Sequence, residues 1–392
     1  MKGRNLAKLP AGIVALGFVS LLMDVSSEMI HGLLPVFIVG TLGASAAMLG
    51  LIEGMAEATA SVTKLFSGLL SDRMGKRKPL AVLGYGLSAL TKPLFALAGG
   101  AGMVATARFA DRVGKGIRGA PRDALVADLV PEAQRGAAYG LRQSMDTIGA
   151  FLGPLLAMAL MLAFAGNVRL VFWLAIIPAA MAVAVLVIYV REPEAAAKPA
   201  VRPKLDRASL AALGRGFWAV VALASVMTLA RFSEAFLILR AEGAGLGLTF
   251  APMVLVVMNV IYAASAWPVG VLSDRIGKAG LLAFGFAVLV AADLVLAFAP
   301  GLTAVLLGVA LWGLHMGLTQ GLLATQVAAA APAALRGTAF GVYNLVTGLV
   351  LLAANALAGG LWTALGPQTT FLAGAGFAAI GVIGLQFAAQ RR

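Results

Sequence analysis

Gly68-Leu69-Leu70-Ser71-Asp72-Arg73-Met74-Gly75-Lys76 returns 202 residues later as Gly270-Val271-Leu272-Ser273-Asp274-Arg275-Ile276-Gly277-Lys278. A second stretch, Pro131-Glu132-Ala133-Gln134-Arg135-Gly136-Ala137-Ala138-Tyr139-Gly140, returns 201 residues later as Pro332-Ala333-Ala334-Leu335-Arg336-Gly337-Thr338-Ala339-Phe340-Gly341. Two unrelated motifs that keep one offset, about half of the 392-residue chain, mark an internal duplication. The chain reads as two similar halves, 1–190 and 216–392. They are joined by a linker, 191–215, rich in Pro, Ala, Lys and Arg.

The composition decides the solvent of those halves. Apolar residues make up 61% of the chain and charged residues 12%, against about 45–50% and about 25% in a soluble domain. With a mean hydropathy of +0.95, so much apolar surface needs lipid around it. The 47 glycines suit close approach of helices in that medium. Twelve apolar stretches are each long enough to cross a ~30 Å hydrocarbon core: 11–40, 46–71, 79–98, 103–124, 136–163, 169–190, 217–240, 249–272, 279–299, 302–328, 338–363 and 368–388. The short alternating segments of a β-barrel are absent from the sequence. The expected fold is an all-α integral membrane protein, with twelve transmembrane helices in two pseudo-symmetric six-helix bundles.

A net charge of +13 could suggest nucleic acid, but its distribution excludes that reading. With the N-terminus inside, most Lys and Arg fall in cytoplasmic segments, while Arg169 and Arg240 stand in outside loops. This is the positive-inside bias, and the charge serves topology and contact with anionic membrane lipids. Both termini are then cytoplasmic. The first apolar stretch is long, holds Asp24 and Glu28, and lacks a small-residue cleavage site. It is expected to be helix 1 and not a cleaved signal. Cysteine is absent, which removes disulfides, thiolate metal sites and cysteine nucleophiles.

The repeated loop falls between predicted helices 2 and 3, and again between helices 8 and 9. Its glycines permit a tight turn, Asp72 can accept from a basic neighbour or a helix N-terminus, and Lys76, Arg77 and Lys78 hold the loop inside. Here the chain resembles the major facilitator superfamily (MFS) of transporters, whose signature between helices 2 and 3 reads Gly-x-Leu-x-Asp-Arg-x-Gly-Arg-Lys, with a weaker copy between helices 8 and 9. The resemblance covers essentially the whole chain. It implies a conformational latch carried by Gly68, Asp72, Arg73, Gly75 and Lys76, and by Asp274 and Arg275 in the second copy.

Predicted helix 4 carries Arg108, Asp111, Arg112, Lys115, Arg118 and Arg122 at steps of three and four, close to one stripe. Charges at bilayer depth need partners or a watery cavity. The family's helix-4 signature, Arg-x-x-Gln-Gly, is associated with proton coupling. Arg112-Val113-Gly114-Lys115-Gly116 aligns with it, with Lys115 in place of Gln, so the resemblance makes Arg112 the candidate coupling arginine. Predicted helix 5 holds Gly149, Gly153 and Pro154, which match the Gly-x-x-x-Gly-Pro of the family's antiporter branch. Ala157 and Met158 replace the glycines that follow there. Physically these residues allow tight packing and bend the helix, and packing and transport direction both stay open as their role.

Other charged pairs fall at i,i+4: Asp24 and Glu28 on helix 1, with His31 three residues on; Glu53 and Glu57 on helix 2; Arg142 and Asp146 on helix 5. Acids of helices 1 and 2 are expected to neutralise bases of helix 4. Burial favours the protonated acid and a nearby Arg favours the carboxylate, so rocking between such environments would bind and release a proton. A static salt-bridge network is the alternative. Lys92, Arg231, Glu234, Asn259, His315, Gln320 and Asn344, with His31, are candidate cavity residues.

These observations point to a secondary transporter working by alternating access. No phosphate-binding Gly-x-x-x-x-Gly-Lys-[Ser/Thr] loop is present, so the expected drive is a gradient, most simply of protons, and no other cofactor is expected. The resemblance implies an exporter exchanging a small solute for protons in a bacterial-type cytoplasmic (inner) membrane. A two-half chain encloses its own pathway, so a monomer suffices. Asp24-Val25-Ser26-Ser27-Glu28-Met29 and the stretch from Asp111 to Arg118 are similar to a bacterial branch that includes nickel-resistance permeases. Asp24, Glu28 and His31 therefore stand as candidate metal-cargo ligands. A non-transporting receptor or scaffold would have lost the cavity charges. An intramembrane zinc protease needs His-Glu-x-x-His, which is missing, so no enzymatic activity is expected.

Overall fold

Lipid offers no partner for backbone N–H and C=O groups, so a chain this apolar must close its hydrogen bonds within each segment. The computed structural model describes residues 9–74, 76–131, 134–192, 207–276, 278–332 and 335–390, and among them there is no strand. The first half comprises α1 (Ala11–His31), α2 (Ala46–Met74), α3 (Lys78–Leu97), α4 (Ala101–Asp128), α5 (Arg135–Ala163) and α6 (Val168–Leu174, continued as Ile176–Tyr189). The second comprises α7 (Gly214–Ala230, continued as Ala235–Gly243), α8 (Met253–Ile276), α9 (Lys278–Phe298), α10 (Leu302–Ala330), α11 (Arg336–Leu365) and α12 (Pro367–Gln390). Of the linker expected at 191–215, residues 193–206 lie outside the described residues.

Ten of these helices are long and apolar enough to cross a membrane; α2 and α4 are not counted among them. Their 29 and 28 residues exceed what a ~30 Å core requires. They fall outside because they carry much of the charge. By length and apolarity the expected twelve spans thus stand at ten.

Three predicted spans are interrupted. The first bends after His31 and continues through a short turn, Leu34–Val36, and a π turn, Phe37–Thr41, where Pro35 has no N–H to offer. The sixth breaks at Ala175, because Pro178 leaves the Leu174 carbonyl without its helical donor. The seventh unwinds over residues 231–234 with no proline present. There the Ser233 N–H leaves the helix and donates to Asn355 Oδ1 at 2.6 Å.

In the first half α1 packs on α5 and α6, and α4 packs on α2 and α3. In the second, α10 packs on α8 and α9, and α12 on α9 and α7. Among the described residues the most extensive helix pairs between the halves are α2 with α11 and α5 with α8. The duplication relates α2 to α8 and α5 to α11, so these are one contact made twice. The α2–α11 pair is the closer. A Cβ on Gly54 would come 2.9 Å from the Leu352 carbonyl oxygen, and one on Gly359 would come 2.9 Å from Ala47 Cα. The Ala47 N–H also donates to Thr363 Oγ1 at 2.9 Å.

The hydrophobic cores are distributed unevenly along the bundle. At the end away from the termini one core crosses both halves, with Leu33, Phe37 and Phe172 sharing it with Phe236, Leu246 and Ala251. At the other end each half keeps its own core. One gathers Leu16, Val19, Tyr85, Leu125 and Leu186, the other Leu213, Phe217, Val327 and Val342.

Candidate functional site

Between the halves lies a cavity of about 680 Å³. One wall comes from α1, α2, α4 and α5, and its charged residues include Asp24, Glu28, Glu57, Arg112, Lys115 and Asp146. The other comes from α7 and α11, with Thr228, Arg231, Phe232, Ser233 and Glu234 facing Tyr343, Asn344, Thr347 and Asn355.

Glycines place α4 in this wall. A Cβ on Gly114 would meet the Gly84 carbonyl oxygen of α3 at 2.7 Å, and one on Gly116 would meet Thr63 Cβ of α2 at 2.5 Å. With α4 seated between α2 and α3, its arginines stand across from the acids of α2 in matching register. Arg108 Nη2 lies 2.9 Å from Glu53 Oε2, with both side chains buried (4% and 3% exposed). One turn on, Arg112 Nη2 lies 3.2 Å from Glu57 Oε1. His31 Nδ1 sits 3.3 Å from Arg108 Nη2; a guanidinium can only donate, so Nδ1 accepts.

The other face of α4 is tied down behind the cavity. Asp111 pairs with Lys92 of α3 at 3.2 Å, and Lys92 also donates to Ser27 Oγ of α1 at 3.2 Å. Arg118, which also borders the cavity, donates to Ser88 Oγ and lies over the Tyr85 ring, 4.7 Å from its centroid. Towards the terminus-bearing end, Arg122 pairs with Asp123 at 3.0 Å, and Arg142 pairs with Asp146 and, at 3.8 Å, with Asp123.

Asp24 and Glu28 differ from these groups. Both line the cavity, and neither side chain makes a hydrogen bond or close ion pair with a described residue. The sequence led us to expect acids of both helices 1 and 2 to neutralise helix 4. The direct ion pairs are made by Glu53 and Glu57 of α2, while Asp24 feels Arg118, Lys115 and Arg122, and Glu28 feels Lys115, Arg112 and Arg108, at longer range. The segment of α1 that bears the two free acids is the one α5 presses against. A Cβ on Gly149 would come 2.9 Å from Asp24 Cβ, and one on Gly153 would come 2.6 Å from Glu28 Cβ. Pro154, beside Gly153, is buried as well.

Of the expected cavity residues, His31, Arg231, Glu234 and Asn344 line the cavity, as do Glu53 and Glu57. Lys92, Arg108 and Asp111 lie behind its wall. Asn259, His315 and Gln320 were expected in the lining and are not in it. His315 is fully buried, with Nδ1 2.8 Å from the Gly285 carbonyl oxygen, and Gln320 accepts from Tyr262 at 3.2 Å. A polar residue in an apolar helix marks a buried face, and in α10 that face turns to α8 and α9. Of the expected latch, Gly68 packs near Ala120 and Arg73 and Lys76 are exposed. Gly75 and the side chains of Asp72, Asp274 and Arg275 lie outside the described residues.

The described residues include no group of three or more His, Asp and Glu that could hold a metal ion. Asp24, Glu28 and His31 do not converge as a ligand set, and His31 is engaged with Arg108 instead. Sequence reasoning missed Thr228, Ser233, Tyr343, Thr347 and Asn355. A signal was present for α11: Asn344, Thr347, Leu351 and Asn355 recur at helical steps of three and four.

The profile of the Major Facilitator Superfamily matches residues 16–355. The chain belongs to that superfamily. It is a membrane solute transporter with the MFS fold. An MFS-type transporter of Methanocaldococcus jannaschii is 30% identical over 389 residues, covering 98% of this chain and 96% of that protein. A protein of Mycobacterium bovis is 29% identical over 358 residues, 89% of this chain and 86% of its own. Among solved structures, the nucleoside transporter NupG aligns with a TM-score of 0.77 at 13% identity, over 95% of this chain and 98% of that one. A bacterial homolog of the human lysosomal transporter Spinster aligns with a TM-score of 0.79 at 16% identity, over 96% of each chain. At such identities the likeness is one of fold.

Proposed function

We propose that this MFS transporter is a proton-coupled exporter, trading a small organic solute for protons across a bacterial-type inner membrane, and that it works as a monomer with both termini cytoplasmic. The observation that carries the reading is the pair Asp24 and Glu28, one helical turn apart, facing the cavity without a direct ion pair among the described residues. Charged side chains at bilayer depth are costly unless they are paired or watered. Glu53 and Glu57 are held by Arg108 and Arg112; Asp24 and Glu28 have no such direct pair and rely on cavity water and the more distant bases of α4 that share the cavity. Opening the cavity favours their carboxylates, and closing and drying it favours their protonated forms.

Gly149 and Gly153 give this cycle a mechanical link. With no side chain between α5 and the backbone bearing the two acids, a shift of α5 is felt directly at α1. With the termini in the cytoplasm, the core shared by both halves closes the outside end, and the separate cores leave the cavity turned inward. An exporter loads its solute in that state. Hydroxyl and amide groups of Thr228, Tyr343, Asn344 and Thr347, with Arg231, offer hydrogen bonds to a polar organic molecule. Among the described residues no cluster of ligands favours a divalent cation as cargo.

The test is proton flux in liposomes containing a pH-sensitive dye, with lipophilic cations, organic anions and divalent nickel, cobalt and zinc added in turn. We expect a substrate-dependent flux that disappears in Asp24→Asn/Glu28→Gln, while exchange of labelled solute across the membrane persists. A flux that the double variant leaves intact would refute the assignment. So would solute equilibration in the native protein without proton movement.

A further inference from the structure

Asp293 lies in the C-terminal third of α9, five residues before its end at Phe298, in the half of the molecule that carries few charges. It is fully buried (0% exposed), and neither carboxyl oxygen has a hydrogen-bond partner among the described residues. Its surroundings are aromatic and small. A Cβ on Gly374 of α12 would come 2.7 Å from Asp293 Oδ2 and 3.1 Å from the Phe232 ring, so the glycine leaves the carboxyl its space. Phe232 packs against Trp312 and Phe371, with centroids 5.4 and 5.6 Å apart. Trp312 Nε1 is itself without an acceptor.

Among the described residues no charged side chain compensates this acid. On α10, His315 is bonded to the Gly285 carbonyl. On α7, Arg231 and Glu234 face the cavity, and Arg240 donates to the carbonyls of Leu296 and Ala299 at 2.8 and 2.9 Å. On α8, Tyr262 is bonded to Gln320, and α12 carries no titratable residue. A carboxylate left unpaired in such a site costs several kcal/mol. A neutral acid in the same place forgoes only hydrogen bonds.

Phe232 borders both the cavity and the surroundings of this acid, lining the one and approaching Gly374, against Asp293, in the other. It sits in the unwound segment 231–234, where the Ser233 N–H is held by the Asn355 side chain and not by a helical carbonyl. Such a segment can turn without breaking a helical ladder.

We propose that Asp293 is a second proton carrier, placed in the half opposite Asp24 and Glu28 and gated by Phe232. With Phe232 packed on Trp312 and Phe371, the acid keeps its proton. When the 231–234 segment moves and Phe232 leaves, cavity water reaches Asp293, the O–H bond breaks, the proton passes to water and the carboxylate is solvated. In its physiological use this extends the proton-coupled reading, but its test requires neither a substrate nor transport.

The test is infrared spectroscopy of the full-length protein in lipid, following the C=O stretch of protonated carboxyl groups in the native chain, Asp293→Asn and Phe232→Ala. We expect a protonated-carboxyl band that is lost in Asp293→Asn, shifts on transfer to deuterated buffer, and fades as the pH is raised. In Phe232→Ala the band should fade at lower pH than in the native protein. A band lost in Asp293→Asn that neither deuterates nor titrates would make Asp293 a sealed structural acid and overturn the proposal. Native and Asp293→Asn spectra that coincide would overturn it as well. Should Asp293→Asn fail to fold, Phe232→Ala against the native protein decides alone: an unchanged titration rejects the gate. The flux experiment on Asp24 and Glu28 can fail while this one succeeds, and the reverse.

Discussion

The two walls of the cavity share one duplicated sequence pattern and are built from unlike chemistry. The first-half wall is a lattice of ions in which α4 stands between acids of α2 on one face and Lys92 of α3 on the other. The second-half wall carries Arg231 and Glu234 among hydroxyls, amides and aromatic rings. Its buried acid, Asp293, meets rings and a glycine instead of a base. What the halves have in common is carried by loop motifs and by small residues where helices meet, both indifferent to what faces the cavity. Charge can therefore concentrate in one half without changing the fold, provided each buried ion finds a partner or water.

The largest effect should come from breaking the lattice at its driest point. Arg108→Ala leaves Glu53 buried beside an empty space, and removal of one partner of a buried pair costs about 3–5 kcal/mol. Replacing both members with Met should restore most of that loss, because well-packed apolar residues often equal or exceed a buried ion pair in stability. Thermal unfolding of the single and double variants in lipid measures both. If Arg108→Ala unfolds with the native protein, the first-half lattice is not what holds its helices, and the contrast between the walls is one of surface alone.

A middle-sized effect separates the halves by packing. Gly153 sits where a Cβ would come 2.6 Å from Glu28 Cβ, whereas the duplication, at its offset of 201, places Ala354 at the equivalent position of α11. Gly153→Ala should cost about 1–3 kcal/mol by overpacking the α1–α5 contact. Ala354→Gly should cost about 0.5–1 kcal/mol, the helical price of glycine. Equal losses in the same unfolding measurement would mean that the α1–α5 approach is no tighter than its counterpart.

Much of the fold was legible before any coordinates. The doubled Gly-x-Leu-x-Asp-Arg-x-Gly-Lys loop and the apolar run lengths located the helices to within a few residues, because membrane helices must be long and continuous in hydropathy. The breaks were less legible. Pro35 and Pro178 are visible in sequence, but the unwinding at 231–234 depends on Asn355, more than a hundred residues away. The charged stripe of α4 was equally plain, yet a stripe names a face and not its partner. Gly114 and Gly116, which seat α4 between α3 and α2, decide that Arg108 and Arg112 meet Glu53 and Glu57 and leave Asp24 and Glu28 unpaired. For the same reason His315 and Gln320 looked like cavity residues: polarity in an apolar helix announces burial without saying in which direction.

The smallest effect is expected where the second-half wall keeps its own polar link. Asn355 Oδ1 accepts from the Ser233 N–H at 2.6 Å, a neutral bond that is buried beside the cavity but lies in an unwound segment that can turn to bring the freed N–H to cavity water. Asn355→Ala should therefore cost only about 0.5–1.5 kcal/mol, the net worth of one such bond, and far less than Arg108→Ala. Its signature is local. Amide hydrogen exchange should quicken over residues 231–235 and stay unchanged along α2 and α4, because nothing in the ion lattice leans on this bond. Faster exchange in α4 would break the comparison, since the two walls would then share one cooperative network. Unchanged exchange at 231–235 would remove Asn355 as the cause of the break in α7, and with it the hinge on which access to Asp293 depends.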